Sequence, residues 1–384
     1  MKKEHQNIGI VTFSLPEAGN VLLTDLVDTL GSLATRLYII VWGKGRPLFE
    51  SNNEAVEVFE VYHKSGTNAF TRTLNYVCTQ LRISFKLLKL SKRVDLWLFV
   101  IGGEGLIIPM LSAKMRRKVV VIYPVGAGVN VAKVSKDPLA GVLAALFNIN
   151  YSLADRIIAD SPILIEAQGL RRYENKVFIG HAHFIDFDKF KVQKPLNKRD
   201  NLVGYVGRLS QEKGILNFLE AIPLVIETRD DARFLIAGDG QLRSTVDVYL
   251  QQASLSSKVN FVGWVPHDEL PSYLNEMKLL VIPSYTEGGP LIAIEAIACG
   301  TPVISTLVGL MPDIITDGKT GFILEDNSPE CIAKNIIRAL SHPDLEEITI
   351  RAHTLVEKER SYGAAVKSAQ QLLQSLEGRH RAPM

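Results

Sequence analysis

Short apolar runs alternate with amphipathic stretches along most of the chain. Residues 7–14, Leu37–Trp42, Val56–Tyr62, Asp95–Ile101, Lys118–Tyr123, Arg156–Ala159 and Lys176–Ile179 read as strands, with helical segments between them, the first running to about Thr35. The pattern restarts after residue 200. Strands are expected at Leu202–Val206, Arg233–Ala237, Val259–Val262, Leu279–Pro283, Pro302–Ser305 and Gly321–Leu324, and helices at Ile215–Glu227, Gln241–Ala253 and Asp268–Asn275. Two helices fill the tail. Such β/α alternation implies mostly parallel sheets with helices on both faces. The polar stretch 186–200, DFDKFKVQKPLNKRD, separates the halves and reads as an interdomain linker.

One helix differs in character. Phe70, Leu74, Val77, Leu81, Phe85 and Leu88 recur at helical spacing. Arg72, Arg82, Lys86, Lys89, Lys92 and Arg93 flank that stripe, and Arg116, Arg117 and Lys118 form a second basic group. Two readings fit: an ordinary amphipathic helix with a solvated polar face, or peripheral contact of residues 70–93 with an anionic membrane surface.

Length and composition narrow the class. A chain of 384 residues suggests two domains, and 47% hydrophobic with 22% charged residues is ordinary for α/β proteins. A net charge of +2 gives no global field for nucleic acid, and no nucleic-acid partner is expected. Cys78, Cys299 and Cys331 are scattered without a CxxC, which points to a reducing compartment and to neither disulfides nor zinc. Glu4 to Asn7 stand between two lysines and a short apolar run with no small-residue cleavage site after it, so the run reads as a strand and not a signal peptide. No stretch reaches the ~18 uninterrupted apolar residues that a spanning helix needs. A cytoplasmic protein, peripheral at most on the inner face of a membrane, is expected.

The most informative stretch is 279–305, LLVIPSYTEGGPLIAIEAIACGTPVIS. A strand ends in a loop carrying Glu287, Gly288 and Gly289. Pro290 opens a helix from Leu291 to Cys299, and Gly300 ends it. Ligands of open α/β sheets bind beyond the carboxyl ends of the strands, and a helix N-terminus there favours an anion such as phosphate. The carboxylates Glu287 and Glu295 suit hydroxyls. Their spacing, about two helical turns, lets both address one ligand. Glu287 also fits a solvated loop residue, whereas Glu295, among Ala293, Ile294, Ala296 and Ile297, reads as buried and so needs a partner.

A second candidate lies at 203–214, VGYVGRLSQEKG. Arg208 ends a strand beside Gly207, and Lys213 precedes the glycine opening the next helix. Such a pair clamps a diphosphate, Arg as a fork and Lys as a point charge, or is two surface cations near a turn. Other features are weaker. Gly126-Ala127-Gly128 lacks the third glycine of a dinucleotide fingerprint, which disfavours a nicotinamide dehydrogenase. Gly238-Asp239-Gly240 reads as a turn, and His181 with His183 lacks further metal ligands nearby.

These motifs converge. GRLSQEKG, the GDG turn, FVGWVPHDELPSYLNEMKLLVIPS, the EGGPLIAIEAIACGTPVIS stretch and GKTGFIL resemble, in order from Leu202 to Leu324, the retaining glycosyltransferases of family 4. The first half resembles them only in architecture. The resemblance implies the GT-B fold, two Rossmann-like domains with parallel sheets facing across a cleft. An acceptor-side domain would span 1–190 with a crossing helix at 360–384, and a nucleotide-sugar domain 200–359. It implies transfer of a sugar from a nucleotide-diphosphate sugar to a glycan, lipid-linked or other hydroxyl acceptor, with retention and no metal or other cofactor, as in cell-envelope glycan synthesis. Arg208 and Lys213 match the diphosphate pair, and Glu287 and Glu295 the two acids of an E-x7-E motif, beside the transferred sugar and the ribose hydroxyls respectively. Gly207, Gly288, Gly289, Pro290 and Leu291 would line the donor, with Gly19 from the first-strand loop. The proposed catalytic group is Glu287, Arg208 and Lys213.

Departures lie mainly on the acceptor side. Ala18 stands before Gly19 where two glycines are usual, and Gly309-Leu310-Met311-Pro312-Asp313 replaces a Gly-Gly-x-x-Glu pattern. No histidine occurs in 95–103 or 119–128, where many members have one, and His181 to Asp186 replaces the usual Asn-Gly-Val-Asp. A GT-B sugar-nucleotide epimerase and a non-catalytic sugar-nucleotide-binding protein are the alternatives.

Overall fold

A computed structural model describes residues 6–13, 21–43, 55–64, 66–125, 140–253, 255–287 and 289–380. It divides into two compact units, Met1–Phe184 with Tyr362–Met384, and Ile185–Ser361. Each is a parallel sheet covered by helices on both faces.

The first unit runs β1 (Asn7–Phe13), α1 (Val21–Gly31), β2 (Arg36–Gly43), β3 (Val56–Tyr62), α2 (Ala69–Leu90), β4 (Leu96–Phe99), α3 (Ile107–Met115), β5 (Val119–Ile122), α4 (Ala140–Leu153), β6 (Arg156–Ala159), α5 (Pro162–Ala167) and β7 (Val177–Ile179). Its strand order is β3-β2-β1-β4-β5-β6-β7. Successive side chains point to opposite faces. Thus Ile8, Ile10, Leu37 and Ile39 meet α1 on one side, while Val11, Ile40, Trp97 and Phe99 meet α2 and α3 on the other. Strands buried on both faces lose their polar alternation, which is why these runs are continuously apolar.

The second unit runs β8 (Leu202–Val206), α6 (Ile215–Thr228), β9 (Arg233–Ala237), α7 (Arg243–Gln252), β10 (Val259–Gly263), α8 (Leu270–Glu276), β11 (Leu279–Ile282), α9 (Leu291–Ala298), β12 (Val303–Thr306), α10 (Met311–Ile314), β13 (Phe322–Leu324), α11 (Pro329–Leu340) and α12 (Leu345–Arg360). Its order is β10-β9-β8-β11-β12-β13. Three helices, not two, follow the last strand. Ser361, in extended conformation, separates α12 from α13 (Tyr362–His380). The last helix packs Ala369, Leu372 and Leu376 into the first unit's core with Leu26 and Leu30.

One expectation is corrected. Residues 186–200 are no free linker, because Phe190 and Leu196 are buried in the second unit. Arg199 is buried there too, donating to the carbonyls of Lys194, Leu274, Met277 and Cys299 and to Thr301 Oγ1. Burial lowers its pKa to about 10. Enough acceptors surround the guanidinium to offset its desolvation. Of the two readings of α2, an inward-facing apolar stripe is not what the structure shows. Phe70, Leu81 and Phe85 are 76%, 54% and 61% exposed, whereas Ile83, Leu87 and Leu90 point inward with Thr79, Gln80 and Ser84. Polar contacts set this rotation, since Gln80 Oε1 accepts from the Ile108 N–H at 2.9 Å and Thr79 Oγ1 lies 2.9 Å from His63 Nδ1.

Adjacent β8 and β11 mark the point where the strand order reverses, and the loops after them meet. Gly214 has φ +70°, and a Cβ there would lie 2.0 Å from the carbonyl oxygen of Pro283. The Tyr285 N–H donates to the Glu212 carbonyl at 2.9 Å. Only glycine allows both the left-handed backbone and this approach. Gly214→Ala should destabilise the protein by roughly 2–4 kcal/mol, read from urea unfolding; an unchanged midpoint would contradict the close packing.

Glu104, buried after β4, yields a second prediction. Burial raises its pKa to about 7, against the lowering effect of the backbone N–H groups of Glu104 and Gly102. Folded protein therefore holds this proton up to about pH 7, while the unfolded chain releases it near pH 4.5. Between those values the folded state binds more protons, so this group's contribution falls as pH rises, by on the order of 3 kcal/mol in all. In Glu104→Gln the loss of stability between pH 5 and pH 8 should shrink accordingly in paired urea melts.

Candidate functional site

The switch point of an open parallel sheet is where its ligands bind, because the helices on either side part there. In the second unit this place carries the sequence-derived residues. The loop after β8 supplies Gly207, Arg208 and Lys213, and the loop after β11 supplies Glu287 and Gly289. Gly288 and Gly19 lie outside the described residues.

Lys213 Nζ and Glu287 Oε1 are 2.5 Å apart, both largely buried. Ser284 Oγ donates to the same carboxylate oxygen at 2.9 Å. Arg208 is the more open cation. Its side chain is 66% exposed, and the ion pair with Glu212 spans 3.7 Å, a surface contact that contributes little. Burial pushes Glu212 up, but bonds from Ser210 Oγ and its own N–H, with Arg208 and Lys213 nearby, outweigh this and hold it below its usual range. Under the loop, Tyr205 donates to the Arg208 carbonyl at 3.0 Å. Burial, then Glu287 and Glu212, raise the pKa of its hydroxyl, which stays protonated.

Gly207 donates its N–H to the Ala237 carbonyl at 3.0 Å, so that donor is already engaged. Pro290 is the N-cap, with ψ 96°, and the helix starts at Leu291. Among the described residues no side chain caps that N-terminus, and the first N–H groups of a helix lack intrahelical acceptors. Glu287 therefore sits in the loop and not on the helix, so helical spacing does not relate it to Glu295. The carboxylates answer to different partners.

Glu295 is buried as expected, and its partner is one the sequence did not reveal. His267 Nε2 lies 2.7 Å from Glu295 Oε1. The other ring nitrogen is 3.2 Å from Lys189 Nζ, which also donates to Asp268 at 2.6 Å. An ammonium only donates, so Nδ1 accepts and Nε2 carries the hydrogen toward Glu295. The histidine belongs to the WVPHDEL turn after β10, at the same carboxyl edge, a position that could have flagged it. Lys189 lies in the stretch read as a linker and gave no signal. In the first unit, His183 Nδ1 contacts the Asp25 carboxylate and His181 Nδ1 lies 3.1 Å from the His183 carbonyl. Among the described residues no group of three or more His, Cys, Asp or Glu is placed to hold a metal.

Taken together, the edge presents an exposed guanidinium, an ammonium shared with a carboxylate, an uncapped helix start and a second, buried carboxylate oriented by histidine. Cations and helix N–H groups suit phosphates, and carboxylates suit hydroxyls.

Residues 186–355 match the family described as Glycosyl transferases group 1. Over 156 residues the chain is 33% identical to an uncharacterized glycosyltransferase of Methanocaldococcus jannaschii, covering 40% of either protein. It is 31% identical over 188 residues to the capsular polysaccharide biosynthesis glycosyltransferase CapM of Staphylococcus aureus, covering 45% of this chain and 48% of that one. The matches thus span less than half the length of these relatives. Among solved structures, Anabaena HepE in complex with UDP superposes with a TM-score of 0.76 over 96% of this chain and 100% of its own, at 14% identity, showing the same GT-B fold. Every described site residue above, except those of the first unit, lies within 186–355, the stretch that matches glycosyl transferases group 1.

Proposed function

We propose that this protein transfers a sugar from a nucleotide-diphosphate sugar to a hydroxyl acceptor, with retention at the anomeric carbon. The observation that carries this is the Lys213–Glu287 pair at the switch point, beside the uncapped start of α9. HepE, of the same fold, is solved with UDP, which supports a nucleotide donor.

The pair has a physical role in this reading. Without donor, Glu287 neutralises the lysine. An arriving diphosphate competes for the ammonium, and the carboxylate, still held by Ser284, turns to the hydroxyls of the sugar. Arg208, exposed on the same loop, closes on the phosphates from the other side. As the sugar–phosphate bond breaks, negative charge grows on the leaving diphosphate, and preorganised cations aimed at that charge lower the barrier. The departing phosphate can accept the acceptor's proton, which accounts for chemistry without a histidine in 95–103 or 119–128. Glu295 binds the ribose hydroxyls, and His267 keeps that carboxylate aimed at them. A glycan or lipid-linked acceptor is the class this reading favours, and no metal takes part in it.

Transfer should be assayed with a panel of nucleotide sugars, choosing donors that raise the melting temperature, since a ligand of the folded state stabilises it. Lys213→Ala and Arg208→Ala should each lower turnover about 10²–10³-fold; wild-type rates in both would remove the clamp. In calorimetry, Glu295→Ala should weaken nucleotide binding by roughly tenfold or more, and His267→Ala by less, because the histidine acts only through the carboxylate. Equal affinity in all three proteins would refute the ribose assignment.

A further inference from the structure

We propose that the outward face of α2 is a docking surface for an anionic lipid bilayer. Phe70, Leu74, Val77, Leu81 and Phe85 all lie exposed on this helix. Their spacing places them on one line along the helix, about 22 Å long at 1.5 Å per residue. The core does not use them, since the opposite side of α2 packs on the sheet and α3. Soluble proteins seldom leave a contiguous apolar strip uncovered without a partner for it.

Charge identifies the partner. From Lys64 to Val94 the chain has no Asp or Glu. Arg82, Lys86 and Lys89 follow one another along one flank of the strip, and Lys92 and Arg93 continue at its end. The neighbouring α3 ends in Met115, 83% exposed, followed by exposed Arg116 and Arg117. Because β4 and β5 are parallel neighbours, the loops entering them lie at one edge of the sheet, and both basic groups gather there. Lys89 Nζ sits 4.4 Å from the Phe85 ring centroid and Lys86 Nζ 4.8 Å from that of Phe59. The cations thus border the apolar strip, as they do where aliphatic stems meet hydrocarbon and ammonium groups meet headgroups. An open groove of about 660 Å³ beside the strip is lined by Glu60, Tyr62, Leu81, Arg82, Phe85 and Lys86.

A second copy of the chain is the poorer fit, because a two-fold contact through this face would set its cations against each other. Among the described residues no helix is long and apolar enough to cross a membrane, so α2 would lie along the surface and not through it. This inference does not rest on the transferase reading, since lipid binding is measured without donor or acceptor.

The test is flotation of the full chain with vesicles of phosphatidylcholine, with and without phosphatidylglycerol. Binding should be at least tenfold stronger to the anionic vesicles and should fall as salt rises. Leu81→Ser with Phe85→Ser should abolish it. Lys86→Gln, Lys89→Gln and Lys92→Gln together should weaken it about a hundredfold, at roughly fivefold per cation. All substituted side chains are solvent-facing or half-exposed, and unchanged thermal melting would confirm that the variants fold. Failure of the wild type to float with anionic vesicles overturns the proposal, as does equal binding by the variants. A dimer that Leu81→Ser disperses, without lipid binding, would assign the face to self-association and overturn it equally.

Discussion

The close approach of two loops at the middle of the second sheet is the constraint on which the candidate site depends. A Cβ at position 214 would overlap the carbonyl of Pro283. Without it, the chain after β8 settles against the chain after β11, and Lys213 reaches Glu287. The same junction is tied by the Tyr285 N–H to the Glu212 carbonyl and by Asn327 Nδ2 to the Pro283 carbonyl at 2.6 Å. A largely buried ammonium and carboxylate in contact satisfy each other. A ligand that supplies phosphates and hydroxyls together can replace both halves of that contact at once, which suits a site that must hold its charges ready when empty.

Buried polar groups do comparable structural work elsewhere. Arg199 binds the segment after the first unit into the second through carbonyls at the C-terminal ends of α8 and α9, so a charged run becomes part of a folded unit. Among the described residues no cation is paired with Glu104; the N–H groups of its own turn serve it, and burial leaves it protonated well above the usual carboxylate range. The contrast follows from donors and acceptors: a guanidinium among several carbonyls stays charged, whereas a carboxylate with few donors in an apolar setting takes up a proton.

Orientation of α2 shows how a strong pattern can leave its direction open. A single apolar stripe ordinarily faces the core. Here the inward face is made instead of Ile83, Leu87 and Leu90 with polar residues that find specific partners, Gln80 to the head of α3 and Thr79 to His63. Those bonds fix the rotation and leave the larger apolar residues to solvent. Basic residues beside them then become the neighbours of an exposed strip instead of the solvated back of a buried one.

The strands and the parallel α/β class were legible because few arrangements besides a doubly covered parallel sheet bury short runs on both faces and separate them by helical spacing. The loop cations, the acidic loop and the buried Glu295 were legible as local chemistry. What the sequence could not contain was distance. That Lys213 meets Glu287 depends on β8 and β11 being neighbours in a sheet whose order departs from chain order. His267 beside Glu295, Lys189 behind it and the burial of Arg199 arise from segments brought together across many residues. Periodicity and residue type act along the chain and so show in it; pairing, burial and the facing of a helix are settled by whichever distant groups it meets, and only the tertiary structure supplies those.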